Sequence, residues 1–95
     1  MKVVDYKEYS NDKQAFLEKH DYEYRVETSP MNEYGVYHKE YICDDGAIFY
    51  EVMGPVYEKV TTEIHKVTIT VDVKLFRTEY YSSDDAESKY YYEKF

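Results

Sequence analysis

Cys43, the three histidines and the carboxylates are the residues from which any chemistry in this chain would have to come. A thiolate nucleophile needs a base within hydrogen-bond reach. Cys43 and His38 are close in sequence but five positions apart, so on one strand their side chains point to opposite faces. Glu40 and Glu51 form a carboxylate pair of the type used for general acid and base work. On strands, however, carboxylates are ordinarily solvated. The three glycines make no phosphate-cradling loop. Metal chemistry has as little support: His20, His38, His65 and Cys43 lack CxxC or HxxxH spacing. Asp44-Asp45 and Asp84-Asp85 lack the alternating oxygens of a calcium loop. The sequence therefore predicts no catalytic residue, no metal and no cofactor, and a small-molecule enzyme is only the third reading.

The totals point elsewhere. Twenty Asp and Glu against twelve Lys and Arg give a formal charge of -8. That charge repels DNA, RNA and anionic lipid and favours a basic partner. Fourteen tyrosines, with abundant Val and Ile, argue for a folded chain despite the low hydropathy. A lone cysteine makes no internal disulfide. The segment Met1 to Glu8 has no apolar signal region, and no run approaches the ~18 apolar residues of a membrane span. The expectation is a cytoplasmic protein.

These residues need elements to hold them. Ninety-five residues make one domain, 1–95, with one core. The best-specified stretch is Lys66 to Leu75, where Val67, Ile69, Val71, Val73 and Leu75 alternate with polar residues. Strict period two predicts a strand with one buried and one wet face. Burial of those five side chains would contribute about 1.5–3 kcal/mol each. Val3 to Tyr6 reads as a short strand. Ser10-Asn11-Asp12, with Gln14 three residues beyond Asn11, reads as a cap for a helix from Asp12 to His20. Asp21 to Thr28, Tyr34 to Cys43 and Ala47 to Met53 read as strands.

The hairpin at Asp44-Asp45-Gly46 can be resolved further. A two-residue loop would set Glu40 opposite Glu51, which like-charge repulsion disfavours. A three-residue loop with Gly46 left-handed pairs Lys39 with Glu51, Tyr41 with Phe49 and Ile42 with Ile48. Gly54-Pro55 is expected to break the ladder. Because one strand from Val56 to Tyr80 would run roughly 80 Å, a break is placed near Thr61–Glu63. Lys89 to Phe95 reads as a strand returning along Phe76 to Tyr81, with a helix from a Ser83 cap as the alternative. The sum is an α+β fold: an antiparallel sheet of about four to six strands with one short N-terminal helix on one face.

Acids and tyrosines supply the candidate surface. Glu40, Asp44, Asp45, Glu51 and Glu58 lie in a stretch with no Lys or Arg between Lys39 and Lys59, and Asp84, Asp85 and Glu87 form a second acidic spot beside Tyr80 and Tyr81. The plain reading of such runs is a wet face. The functional one is a surface that docks into a basic cleft, steered by charge. An aromatic platform for single strands would need a positive groove that this composition does not provide. Acidic, Tyr-rich and free of catalytic motifs, the chain resembles in kind the small inhibitors carried by phages and mobile elements, the anti-CRISPR and anti-restriction proteins. That resemblance implies carboxylates standing in for phosphates, a DNA- or RNA-binding nuclease as partner, and action in the host bacterial cytoplasm without direct contact to nucleic acid or membrane. The alternative is a non-inhibitory interaction or structural module, a homo-oligomer through Tyr-rich sheet edges.

Overall fold

The computed structural model describes residues 2–94; Met1 and Phe95, the latter the last residue of the expected C-terminal strand, lie outside the described residues. The elements are β1 (Lys2–Val3), α1 (Tyr6–Lys19), β2 (Tyr24–Thr28), β3 (Tyr37–Cys43), β4 (Ile48–Ile64), β5 (Val67–Ser82) and β6 (Lys89–Lys94). They form a six-stranded sheet in the order β1-β6-β5-β4-β3-β2, with α1 on one face. The sheet is mixed and not purely antiparallel as expected, because β1 runs parallel to β6. No hairpin turn joins these two strands, so nothing forces them to run in opposite directions.

Helix α1 begins earlier than the Ser10–Asp12 signal suggests. Asp5 is the cap: its carboxylate accepts a 2.8 Å hydrogen bond from the Glu8 N–H. Asp5-x-x-Glu8 thus offers the same chemistry as Asn11-x-x-Gln14, and the earlier start lets Tyr9 join Phe16 on the sheet side. At the other end Tyr22 N–H donates to the Leu17 carbonyl, and Asp21 and Tyr22 both take positive φ (61° and 55°). That turn consumes the start of the expected Asp21–Thr28 strand, leaving β2 as a short exposed edge.

Tyr9, Phe16 and Leu17 from the helix meet Tyr41, Cys43, Phe49, Tyr80 and Tyr91 from the sheet. The core is largely aromatic, with Phe49 stacked on Tyr80 at 5.6 Å and Tyr9 edge-on to Tyr80 at 5.1 Å. The β3–β4 hairpin has the three-residue loop expected: Lys39 pairs with Glu51, Tyr41 with Phe49, Ile42 with Ile48, and Gly46 has φ 91°. Strand β6 returns along β5 as read, pairing Tyr80 with Lys89 through Leu75 with Lys94.

Two expectations about the middle of the chain are overturned. Strand β4 runs straight through Gly54-Pro55, and Pro55 pairs with Phe76. Strand β3 ends at Tyr37, opposite Met53, so from Gly54 onward β4 is an edge on that side, where a missing donor is tolerated. The reversal comes at His65-Lys66, not at Thr61–Glu63. Both residues are left-handed (φ 50° and 63°), the mirror-image turn that matches strand twist. Lys66 is therefore a turn residue.

The third correction concerns the Val67–Leu75 stretch. It is a strand with alternating faces, yet its apolar face is not buried: Val67 is 58% exposed, Ile69 43% and Val71 52%. Beyond Met53 and Leu75, β4 and β5 leave their neighbours behind and project as a two-stranded arm, which gives the molecule its 58 × 28 × 19 Å shape. On α1's side the arm is polar (Lys59, Thr61, Thr70, Asp72). The apolar row lies on the opposite side, where the helix cannot cover it.

Candidate functional site

Helix α1 presents to the sheet a face that is half polar. Tyr9, Asp12, Lys13, Phe16 and His20 fall three or four residues apart, so they share one side. Each polar member is met by the sheet. The Tyr9 hydroxyl donates to Glu51 at 2.5 Å, and Lys13 Nζ lies 3.1 Å from the same carboxylate and 2.5 Å from the Tyr41 hydroxyl. Asp12 accepts from the Tyr80 hydroxyl at 2.8 Å and from Lys89 at 3.1 Å. Burial first, then the Glu51 carboxylate, pushes the Tyr9 phenol far up, and burial with Asp12 does the same to Tyr80. Glu51 is only 1% exposed and every buried side-chain polar atom among the described residues has a partner. The seam is closed and satisfied, a device for seating the helix.

Below the last helical turn the seam reaches the surface. His20 Nδ1 lies 2.5 Å from Asp45 and Nε2 2.7 Å from Asp84, so one imidazole ties the β3–β4 turn to the β5–β6 loop. Lys19 adds a 3.4 Å contact to Asp84. Hydrogen bonds to Asp84 and then Asp45 hold the His20 pKa above its ordinary value. The Asp84 pKa is lowered by His20 foremost, and that of Asp45 by the Ala47 N–H and then His20. Ser83 fastens the same junction, its N–H donating to the Ile48 carbonyl and its hydroxyl accepting from Ile48 N–H.

The expected acidic residues divide accordingly. Asp44, Asp45, Asp84, Asp85 and Glu87 gather at one end of the sheet, all exposed. Glu23 joins them through the Asp44 N–H, which donates to its carbonyl. Glu51 and Tyr80 do not belong to that surface. Both lie beneath α1, at 1% and 2% exposure, because they sit on the sheet face the helix covers. Glu40 is half-buried on the opposite face, in register with Glu27 and Tyr50. Glu58 lies at the root of the arm and bonds Tyr92, whose pKa it pushes up to about 12. Tyr81 is on the uncovered face against Tyr50, ring centres 5.0 Å apart.

Sequence reasoning missed Lys13 and His20 as organising residues. Their spacing from Tyr9 and Phe16 was the available signal, masked by a helix start placed too late. Cys43 is buried with its thiol pushed up, while His38 lies on the other face, hydrogen-bonded to Tyr50. A hollow of ≈ 30 Å³ beside Phe49, Tyr80 and Lys89 has room for about one water. Among the described residues no group of His, Cys, Asp and Glu is placed to hold a metal, and no helix is long and apolar enough to cross a membrane. No known family, no curated protein and no solved structure matches this chain.

Proposed function

We propose that this chain is a protein-binding module whose acidic end docks on a basic surface, and that its target is a nucleic-acid-binding protein, a nuclease such as a CRISPR effector or restriction enzyme, which it inhibits by occupying the DNA cleft. The observation that carries the reading is the convergence of two separate turns. His20 and Ser83 hold Asp44, Asp45, Asp84, Asp85 and Glu87 together, although about forty residues of chain separate the two groups. Carboxylates clustered on a framed end present the kind of negative surface that lysines and arginines gripping phosphate would accept.

Displacement is the test. A fluorescent duplex bound to each of a panel of purified nucleases is titrated with the protein at low and at high salt. Release of the duplex at low salt, weakened at high salt and lost in the Asp44→Lys/Asp85→Lys/Glu87→Lys variant, supports the reading. These three residues are chosen because Asp45 and Asp84 hold the clamp. A correctly folded reversal variant that displaces DNA as well as the parent removes the acidic end as the site.

A further inference from the structure

The uncovered face of the arm is the largest feature that neither the core nor the acidic end accounts for. Val56, Val60, Ile64, Val67, Ile69, Val71, Val73 and Leu75 line one side of a ribbon nine residue pairs long, from Val56 opposite Leu75 to Ile64 opposite Val67. An isolated two-stranded hairpin is marginal in water, and beyond Leu75, which pairs with Lys94, no third strand among the described residues pairs with this one. Val60, Ile64, Val67, Ile69 and Val71, all β-branched, are 43–58% exposed, and a row so uncovered is a face built to be covered.

Charge says by what. Between Tyr57 and Leu75, Glu58, Glu63 and Asp72 are balanced by Lys59, Lys66 and Lys74, so the arm is neutral and the whole formal charge of -8 lies outside it. A basic partner has nothing to recognise on this face. An acidic one would be repelled by the body to which it is attached. A second copy meets neither obstacle if the arms run antiparallel. Lys66 at each tip then comes to the partner's root, where Glu58, Arg77 and Glu79 lie on the same side with the acids in excess, and the two acidic ends are carried to opposite extremes. At ~3.3 Å per residue the arm is roughly 30 Å long, several Debye lengths, so the acidic ends do not feel each other. Tips side by side would set Lys66 against Lys66 instead.

The uncovered face continues past the arm onto Tyr50, Tyr81, Tyr90 and Tyr92, so the surface open to a second copy extends beyond the ribbon itself. We infer that two copies of this chain pair face to face through the apolar side of the β4–β5 arm, antiparallel about a two-fold axis, leaving the acidic ends free at either end. Such an interface is self-complementary and closed. It does not depend on what the acidic end binds.

Sedimentation equilibrium of the full chain tests this directly. The expected mass is twice the 11.5 kDa of one chain, little changed by high salt. Val71→Lys, which puts a charge into the apolar row, should weaken dimerisation by about a hundredfold or more, whereas Thr70→Lys on the polar side should leave it unchanged. Unaltered tyrosine near-UV circular dichroism certifies the body in both variants. For orientation, a mixture of Lys66→Cys and Glu58→Cys chains should oxidise to the mixed disulfide in preference to either homodimer. A monomer at every concentration overturns the inference, as does open-ended polymer. Flotation of an otherwise monomeric chain with neutral phosphatidylcholine vesicles overturns it in favour of lipid.

Discussion

The root and the tip of β4 and β5 are the same two strands in two environments. From Ile48 to Val52 side chains alternate between half-buried and buried, and from Tyr57 to Ile64 every residue is exposed. Local pattern is as regular in the second stretch as in the first. What differs is the third element: α1 covers one face of the root, and β3 and β6 flank it, while the arm has none of these. Alternation therefore specifies a strand and the direction of its apolar face. It does not specify that a cover exists within the same chain. Charge divides the molecule along the same line, with a neutral arm on an acidic body.

The largest difference between the two regions should appear on truncating an apolar side chain. Phe49→Ala removes a ring that is 2% exposed and touches Tyr9, Phe16, Tyr41 and Tyr80. Its expected cost is about 3–5 kcal/mol in urea unfolding, enough to leave a chain of this size near its unfolding threshold. Val71→Ala, measured at concentrations too low for self-association, should cost less than about 0.5 kcal/mol. Equal losses would mean that the arm packs on the body.

Carboxylates sharpen the contrast next. Glu51→Ala strands Lys13 and the Tyr9 hydroxyl beneath the helix, and breaking such a buried pair is expected to cost about 3 kcal/mol. Glu58→Ala, at the exposed root of the arm, should stay within about 0.5 kcal/mol. The boundary between the regions has its own probe. A Cβ on Gly54 would stand 2.8 Å from Val36 Cγ2 and 3.1 Å from Val36 Cα, and the second atom is backbone and cannot swing aside. Gly54→Ala should cost about 1–2 kcal/mol by overpacking, with the loss read in the body's urea midpoint.

How much of this was legible in the sequence follows from the same comparison. The β3–β4 register was read correctly because a local rule, repulsion between Glu40 and Glu51, decided it. Strand β6 was read from propensity, and the His65-Lys66 reversal was missed because it lacks the Asn-Gly, Asp-Gly or Gly-Gly pair that marks a two-residue hairpin loop. The candidate site was half legible. Asp44, Asp45, Asp84, Asp85 and Glu87 could be singled out by type, but their meeting depends on His20, whose partners lie 25 and 64 residues away. Glu51 and Tyr80 illustrate the converse. Their types belong to a wet surface, and only the position of α1 reveals that Lys13 and Asp12 make their burial tolerable.

The smallest effect separates the acidic end from the seam above it. His20 is charged when it bridges Asp45 and Asp84, so its pKa lies above the ordinary value of 6.5. The folded state binds this proton more tightly than the unfolded chain does. The clamp therefore contributes fully below the unfolded value and is lost as pH rises through the folded one. The two carboxylates behave oppositely: their contribution is present above the usual 3.8 and disappears as pH falls through their lowered values. The junction should thus be tightest between the carboxylate range and 6.5 and loosen as pH rises through the raised His20 value. NMR titration of the His20 ring should give a pKa above the ordinary 6.5, and His20→Gln should flatten the decline in thermal midpoint that follows at higher pH without changing the near-UV spectrum of the aromatic core. If displacement of DNA uses the end that this clamp frames, it should weaken in the parent as pH rises through the same His20 transition and show no such step in His20→Gln. A displacement curve that ignores His20 would mean that the acidic turns act separately, each as an ordinary solvated loop.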